Sequence, residues 1–325
     1  MAEAALSPAL AAGRPARRRL GPPLLTAAAL AVLVVLPFAI NDYYVTLLTR
    51  MLIFGLAALS VNLLLGYGGL VSFGHAAFVG IGAYSSGILA QNGVESAFLA
   101  WPLTILAGAA AATLIGAVAL RTAGLYFIMI TLALAQMVFH LFRSLRQYGG
   151  DDGFALIRND FAGLLELYDP LTFYFVVLVL LVLVVALFAR IMAAPFGELL
   201  QCSRDDAGWV EALGLRVYPY RLAAFALSGA VAALAGLLLA NLDGYITPAL
   251  AGWHLSGELL VMVILGGVGS LAGPVVGAVL YLSLAEGLGH LTDHWMVILG
   301  PLLVLRVLLL RDGLYDWIKG RLSRG

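Results

Sequence analysis

The side chains of this chain that could carry chemistry are few and widely spaced. Its histidines are His75, His140, His254, His290 and His294, and its one cysteine is Cys202. No H-E-x-x-H zinc motif occurs: His290 and His294 stand four apart, but Leu291 follows the first where the motif has glutamate. A single cysteine rules out an intrachain disulfide. Ser72 or Ser270, taken with His75, His290 or His294, can be drawn as a nucleophile and its base. Neither serine sits in a G-x-S-x-G elbow, and the glycines around both are explained as well by close helix packing. Ion coupling would need ionisable groups at mid-membrane, for which His75, His140, Glu258 and Glu286 are the candidates. His140, Glu258 and Glu286 fall near the ends of apolar runs, where solvated side chains are the plainer explanation. His75 is the best candidate for a special role, and a hydrogen-bonded packing histidine is the simpler account of it. A phosphate cradle of the G-x-x-x-x-G-K-[ST] kind is absent, because the only lysine is Lys319 and Ile318 precedes it. An intramembrane enzyme and an ion-coupled secondary transporter are thus the weaker readings. Passage of a solute driven from another subunit is the stronger one.

The elements that must position these residues are membrane helices. The 325 residues are 62% hydrophobic and 11% charged, where soluble domains carry roughly a quarter charged residues. So much apolar surface cannot be hidden in the chain's own core. A net charge of zero argues against a nucleic-acid partner. A span needs about 20 apolar residues. By that measure spans fall near 24–40, 44–65, 75–91, 98–120, 124–146, 171–190, 220–240, 272–288 and 294–310, with a shorter apolar piece at 257–267. The fold class is an all-α polytopic membrane protein of about ten membrane elements, one of them short or broken. The first run reads as a retained span, not a cleaved signal peptide. Residues 1–20 form an N-terminal segment, 21–311 the transmembrane domain, and 312–325 a C-terminal tail.

Charge orients these spans. With both termini cytoplasmic, that side holds Arg14, Arg17, Arg18, Arg19, Arg121, Arg190, Arg204, Arg216, Arg221, Arg306, Arg311, Lys319, Arg321 and Arg324. The opposite side holds Arg143, Arg146 and Arg158, as the positive-inside rule requires. Arg50 falls inside a span, where it must snorkel or pair. Trp101, Trp253, Trp295 and Trp317 read as interface aromatics, and Phe78 and Tyr84 as packing residues or interface anchors.

Two features stand out against this background. The first is GYGGLVSFGHAAFVGIGAY, Gly66 to Tyr84, which directly follows an apolar run. Backbone groups freed by its glycines must find partners in protein or water, so such a stretch suits a cavity wall or a close helix contact. Its Gly68-Gly69-x-x-Ser72-Phe73-Gly74 is echoed by Gly266-Gly267-x-x-Ser270-Leu271-Ala272. Glycine-interrupted segments in matching positions point to a repeat and a transport path. Ser72, Gly74, His75, Gly266, Gly267 and Gly269 are the resulting candidates for path lining or a hinge. The second feature is the polar excursion at 193–219, AAPFGELLQCSRDDAGWVEALGLRVYP. It predicts one short amphipathic helix ending in a glycine turn at Gly214, lying on the membrane or docking a cytoplasmic partner.

Three blocks resemble the permease subunit of branched-chain amino acid ABC importers, the LivM type. They are GLVSFGHAAFVGIGAY (69–84), SRDDAGWVEALGLRVYPYRLAAFALSGAVAALAG (203–236) and LVMVILGGVGSLAGPVVGA (260–278). The resemblance implies a bacterial inner-membrane permease, embedded in lipid, that pairs with a second homologous permease. It further implies two ATP-binding subunits and a periplasmic substrate-binding protein, with ATP and Mg used by the ATPases and no cofactor on this chain. Leucine, isoleucine or valine would be the cargo, while related importers take urea, amides or other small solutes. Glu211, Ala212 and Gly214 match the motif with which such permeases contact the ATPase, and Arg204 and Asp205 lie in the charged helix before it. Gly208-Trp209-Val210 departs from the small residues usual there.

Overall fold

The computed structural model describes residues 30–94, 96–161, 167–289, 297, 300 and 301. The expected span at 294–310, the N-terminal arginines, His290, His294, Trp295, Trp317, Lys319 and the tail at 312–325 lie outside the described residues. Two units are distinguished, Met1–Ile40 and Asn41–Gly325. In the first, α1 (Leu30–Ala39) is a short apolar helix whose last turn tightens to 3-10 geometry with a proline at its start.

The second unit is a helical bundle. Its helices are α2 (Asp42–Asn62), α3 (His75–Gln91), α4 (Ala97–Ala119), α5 (Leu125–Ser144), α6 (Pro170–Ala193), α7 (Pro195–Asp205), α8 (Ala207–Ala212), α9 (Val217–Asp243), α10 (Trp253–Gly266) and α11 (Gly273–Gly289). Among the described residues, five segments are long and apolar enough to cross a membrane: Asp42–Tyr67, Ala97–Ala119, Leu125–Ser144, Pro170–Ala193 and Val217–Asp243. Helix ends follow local chemistry. Asp169 caps α6 by accepting from the Thr172 N–H at 3.0 Å, with Pro170 opening the first turn. Gly244, at φ +63°, ends α9 in the left-handed region that a side chain disfavours.

α9 is the central helix and packs on α2, α3 and α4. Small residues permit this closeness, since lipid gives helices little hydrophobic reason to associate and backbone proximity must supply the contact. A Cβ on Gly82 would lie 2.0 Å from the Ala233 carbonyl, and one on Gly229 would meet Ala112 of α4. Around α9, α2 packs on α6 and α11, and α10 on α11.

Two helices expected as full spans are shorter than a membrane crossing, α3 and α11 at 17 residues each, and α10, expected to be short, has 14. The reason lies in where they begin. His75, the first residue of α3, bonds Ser228, which sits near the middle of the 27-residue α9. The Ala76 N–H donates to Ser256 Oγ of α10 at 2.9 Å. Ala251 packs against Gly80, and Ile246 and Phe154 against Gly87. Both α3 and α10 therefore start at the depth of the bundle's middle. The chain reaches α10 from the end of α9 through a strand, β2 (Tyr245–Ile246), and a 3-10 turn, Pro248–Ala251. β2 pairs antiparallel with β1 (Phe154–Ala155), Phe154 opposite Ile246 and Ala155 opposite Tyr245. Non-helical backbone at this depth is tolerated because protein surrounds it.

Candidate functional site

The two glycine breaks that echo each other in sequence meet in space. α2 runs on into a π-helical turn, Leu63–Tyr67, and there Gly66 lies against Gly269, its absent Cβ 2.5 Å from the Gly269 nitrogen. Asn62, fully buried one turn earlier, joins the breaks. Its Oδ1 accepts from the Gly269 N–H at 2.8 Å, and its amide donates to the Ser270 carbonyl at 2.8 Å. The serines of the two breaks play similar parts. Ser72 Oγ accepts from the Gly74 N–H, and Ser270 Oγ from the Gly273 N–H, each at 3.1 Å, just as a new helix begins. Gly69, Gly267 and Gly269 hold positive φ, at +67°, +125° and +76°. Glycine is needed there because a Cβ would strain the backbone.

His75 is enclosed. Ser228 Oγ donates to the Ser60 carbonyl at 2.6 Å, so its lone pair accepts from His75 Nε2 at 2.8 Å. The imidazole thereby links α3, α9 and α2. Phe78 meets it edge-on at 5.9 Å, with Phe225 beside it at 6.4 Å. Ser72, Gly74, His75, Gly266, Gly267 and Gly269 are all buried in this conformation. Phe78 and Tyr84 are buried packing residues. Trp101 is 7% exposed and packs edge-on against Phe161, so it stands inside the protein and not at the interface expected of it.

The polar excursion folds as two helices, not one. Asp206 has extended backbone that breaks the run, and its side chain caps α8 by accepting from the Trp209 N–H at 3.1 Å. Val210 is buried and anchors α8, while Trp209, Glu211, Ala212, Leu213, Gly214 and Leu215 are exposed. Gly214 makes the turn at φ +83°. Arg204, itself partly exposed, reaches back to the first glycine break. Its guanidinium donates to the Gly66 carbonyl at 2.6 Å and to Asp205 at 3.2 Å, and its Cγ fills the space that a side chain at Gly69 would need. Arg221 of α9 holds α7 through the Ser203 carbonyl at 2.6 Å. The excursion and the glycine junction are therefore one connected unit, in the order α8, α7, Arg204, Gly66, Asn62, Gly269.

The other end of the bundle is tied down separately. Arg50, placed inside a span by sequence, pairs with Asp243 at the end of α9. Arg158 donates to the carbonyls of Leu167 and Leu242, both at 3.0 Å. Asn241 accepts from the Asn159 N–H at 3.0 Å and donates back to its side chain at 3.1 Å, with Ser86 Oγ on the same oxygen. In the loop after α5, Asp151 accepts from two nitrogens of Arg143 in the last turn of that helix, which holds its carboxyl below the usual carboxylate range.

Between these ends, a small apolar cleft is lined by Ile53, Phe54 and Ala57 of α2, Val79 of α3, Ala235 and Leu239 of α9, and Leu255 and Leu259 of α10. Asn62, Ser228 and this cleft were not singled out from sequence. A lone amide at the end of an apolar run was the available signal for Asn62. The cleft has none, because its lining residues come from four helices and are ordinary for each. No group of three or more metal-ligating side chains occurs among the described residues.

A family model described as branched-chain amino acid transport system / permease component matches residues 43–307. The high-affinity branched-chain amino acid transport system permease protein LivM of Salmonella typhimurium is 29% identical over 324 residues, 92% of this chain and 76% of that protein. The protein of the same name from Escherichia coli is 28% identical with the same coverage. A shorter likeness, 35% over 104 residues and 31% of this chain, is to the autoinducer 2 import system permease protein LsrC of Escherichia coli. No solved structure matches.

Proposed function

The chain belongs to the branched-chain amino acid transport permease family, and from that premise we propose that it forms half of a membrane path for leucine, isoleucine and valine, driven by ATPase subunits docked on α8. The observation that carries the docking assignment is the exposed surface of Trp209, Glu211, Leu213 and Leu215 around the Gly214 turn. An apolar ring around one acidic group, on a short helix anchored by Val210, suits a protein partner better than water. In this reading the α7–α8 end faces the cytoplasm. The N-terminal arginines support that orientation through the positive-inside rule.

A second permease, two ATPases using ATP and Mg, and an external binding protein complete the assembly. Ser72, Gly74, His75, Gly266, Gly267 and Gly269 act as hinge and closure in this scheme. Their burial means that the path opens only when the two breaks part. Closure of the ATPases displaces α8 and α7, and Arg204 passes that displacement to the Gly66–Gly269 junction.

The test is reconstitution of the chain with its ATPases, partner permease and binding protein in proteoliposomes. Glu211→Arg should leave insertion and assembly of the chain intact and abolish most leucine uptake per ATP hydrolysed. Normal uptake by that variant would remove the docking assignment. Recovery of the chain from native membranes without ATPases would remove the importer scheme.

A further inference from the structure

The exposed face of α10 is unlike the other exposed helix faces. Along the middles of α4, α5 and α6 the side chains directed outward are mainly apolar, among them Leu106, Leu114, Met129 and Leu183, with the ionisable His140, Arg143 and Arg190 toward the C-terminal ends of α5 and α6. Those faces suit lipid. α10 presents Trp253, His254 and Glu258 within its first two turns. His254 and Glu258 are four residues apart and share a face. By sequence Glu258 sits near the end of an apolar run, where solvent would explain it. In the structure that end lies inside the bundle, because Ser256 is bonded to Ala76 at the start of α3, level with the middle of α9. Glu258 is only partly exposed and makes no hydrogen bond or ion pair among the described residues. An ionisable group at this depth is costly against hydrocarbon and needs water, a counter-charge or a path.

The neighbouring face of the same helix turns the other way. Leu255 and Leu259, each adjacent in sequence to one of the two ionisable residues, line the apolar cleft with Phe54 and Val79. A carboxylate with no hydrogen bond among the described residues thus stands beside an apolar helix face on which Leu255 is partly exposed and Leu259 buried. That pairing matches a small zwitterion with a branched apolar side chain. We propose that Glu258, flanked by His254, lines the translocation path and receives the α-ammonium group of the passing amino acid, whose side chain rests against the partly exposed Leu255. This rests on the reading of the chain as an amino-acid permease. The α-carboxylate is then directed toward the partner permease.

Cys202 is the only cysteine of this chain, so Cys202→Ser makes the chain thiol-free, and labelling in the complete transporter is read on this chain's band alone. Glu258→Cys in that background should react with a membrane-impermeant, positively charged methanethiosulfonate, since only a hydrated thiolate reacts. Leucine supplied with binding protein and ATP should slow the reaction several-fold. Leu183→Cys on the lipid face of α6 should stay unreactive. Glu258→Gln should lower uptake per ATP about 10-fold, with Glu258→Asp retaining most of it, as loss of a charge-assisted bond would require.

An unreactive Glu258→Cys would overturn the proposal. So would labelling that leucine does not slow, or labelling of the free subunit that vanishes on assembly, since the latter makes Glu258 a subunit contact. If Glu258→Cys does not assemble, His254→Cys is read in its place against the same outcomes. Failure of the thiol-free parent to couple ATP hydrolysis to leucine uptake would instead refute the permease reading, separately from the labelling result.

Discussion

Replacing Arg204 by alanine separates a docking residue from a strut. A docking residue would lose ATPase binding, whereas a strut would lose the transfer of motion while the ATPases stay bound. Its 2.6 Å bond to the Gly66 carbonyl and its packing over Gly69 favour the strut. A hydrogen bond from a charged donor is worth about 1.5–3 kcal/mol. The side chain is 38% exposed, so solvent screening moves the expectation to the low end, about 1–2 kcal/mol. That corresponds to a factor of about 5–30 in the population of the correctly joined state. In proteoliposomes, Arg204→Ala should therefore cut leucine uptake per ATP by about 10-fold, with ATPase co-purification unchanged. Arg204→Lys should recover part of the loss, because it keeps the charge but not the planar fork. Gly69→Ala should give a similar defect by displacing the Arg204 stem. Combined with Arg204→Ala it should add little, since both break the same contact. An unaltered uptake-to-ATP ratio in Arg204→Ala would refute the reasoning, as would loss of the ATPases from the purified complex.

Two further outcomes test other parts of the structure. Ser228→Ala strands the His75 N–H inside the bundle, so it should destabilise the protein by about 1–3 kcal/mol, read as unfolding in detergent; a His75 that served only packing would leave uptake per ATP unchanged in the surviving protein. Asp169→Ala removes the cap of α6 and should cost about 0.5–2 kcal/mol. The Thr172 hydroxyl and N–H hold the Asp169 carboxyl below its ordinary value. Its contribution should accordingly be complete above about pH 4, the unfolded-state range, and fade only as the pH falls through the lower folded value. A variant deficit that instead shrank between about pH 8 and pH 5 would contradict this.

Sequence alone decided the features that composition and local geometry dictate. Its excess of apolar residues required a polytopic helical protein. The periodic runs located most helices within a few residues, because a backbone in lipid must bond to itself and the helix does so locally. The Gly214 turn was legible for the same local reason. So was the likeness of the two glycine breaks, although their meeting through Asn62 was not. Hydropathy gave full spans at α3 and α11 and a short piece at α10, since it measures apolar length and carries no information about the depth at which a helix starts. Only tertiary contacts fix that depth, as with His75 on Ser228 and Ser256 on Ala76. Tertiary contacts also drew Arg204 onto the Gly66 carbonyl and set the depth of Glu258, whereas the split of the excursion is local, made by the Asp206 cap on Trp209. Most of these outcomes depend on partners far away in the chain, and no local pattern encodes which of several possible partners a side chain will meet.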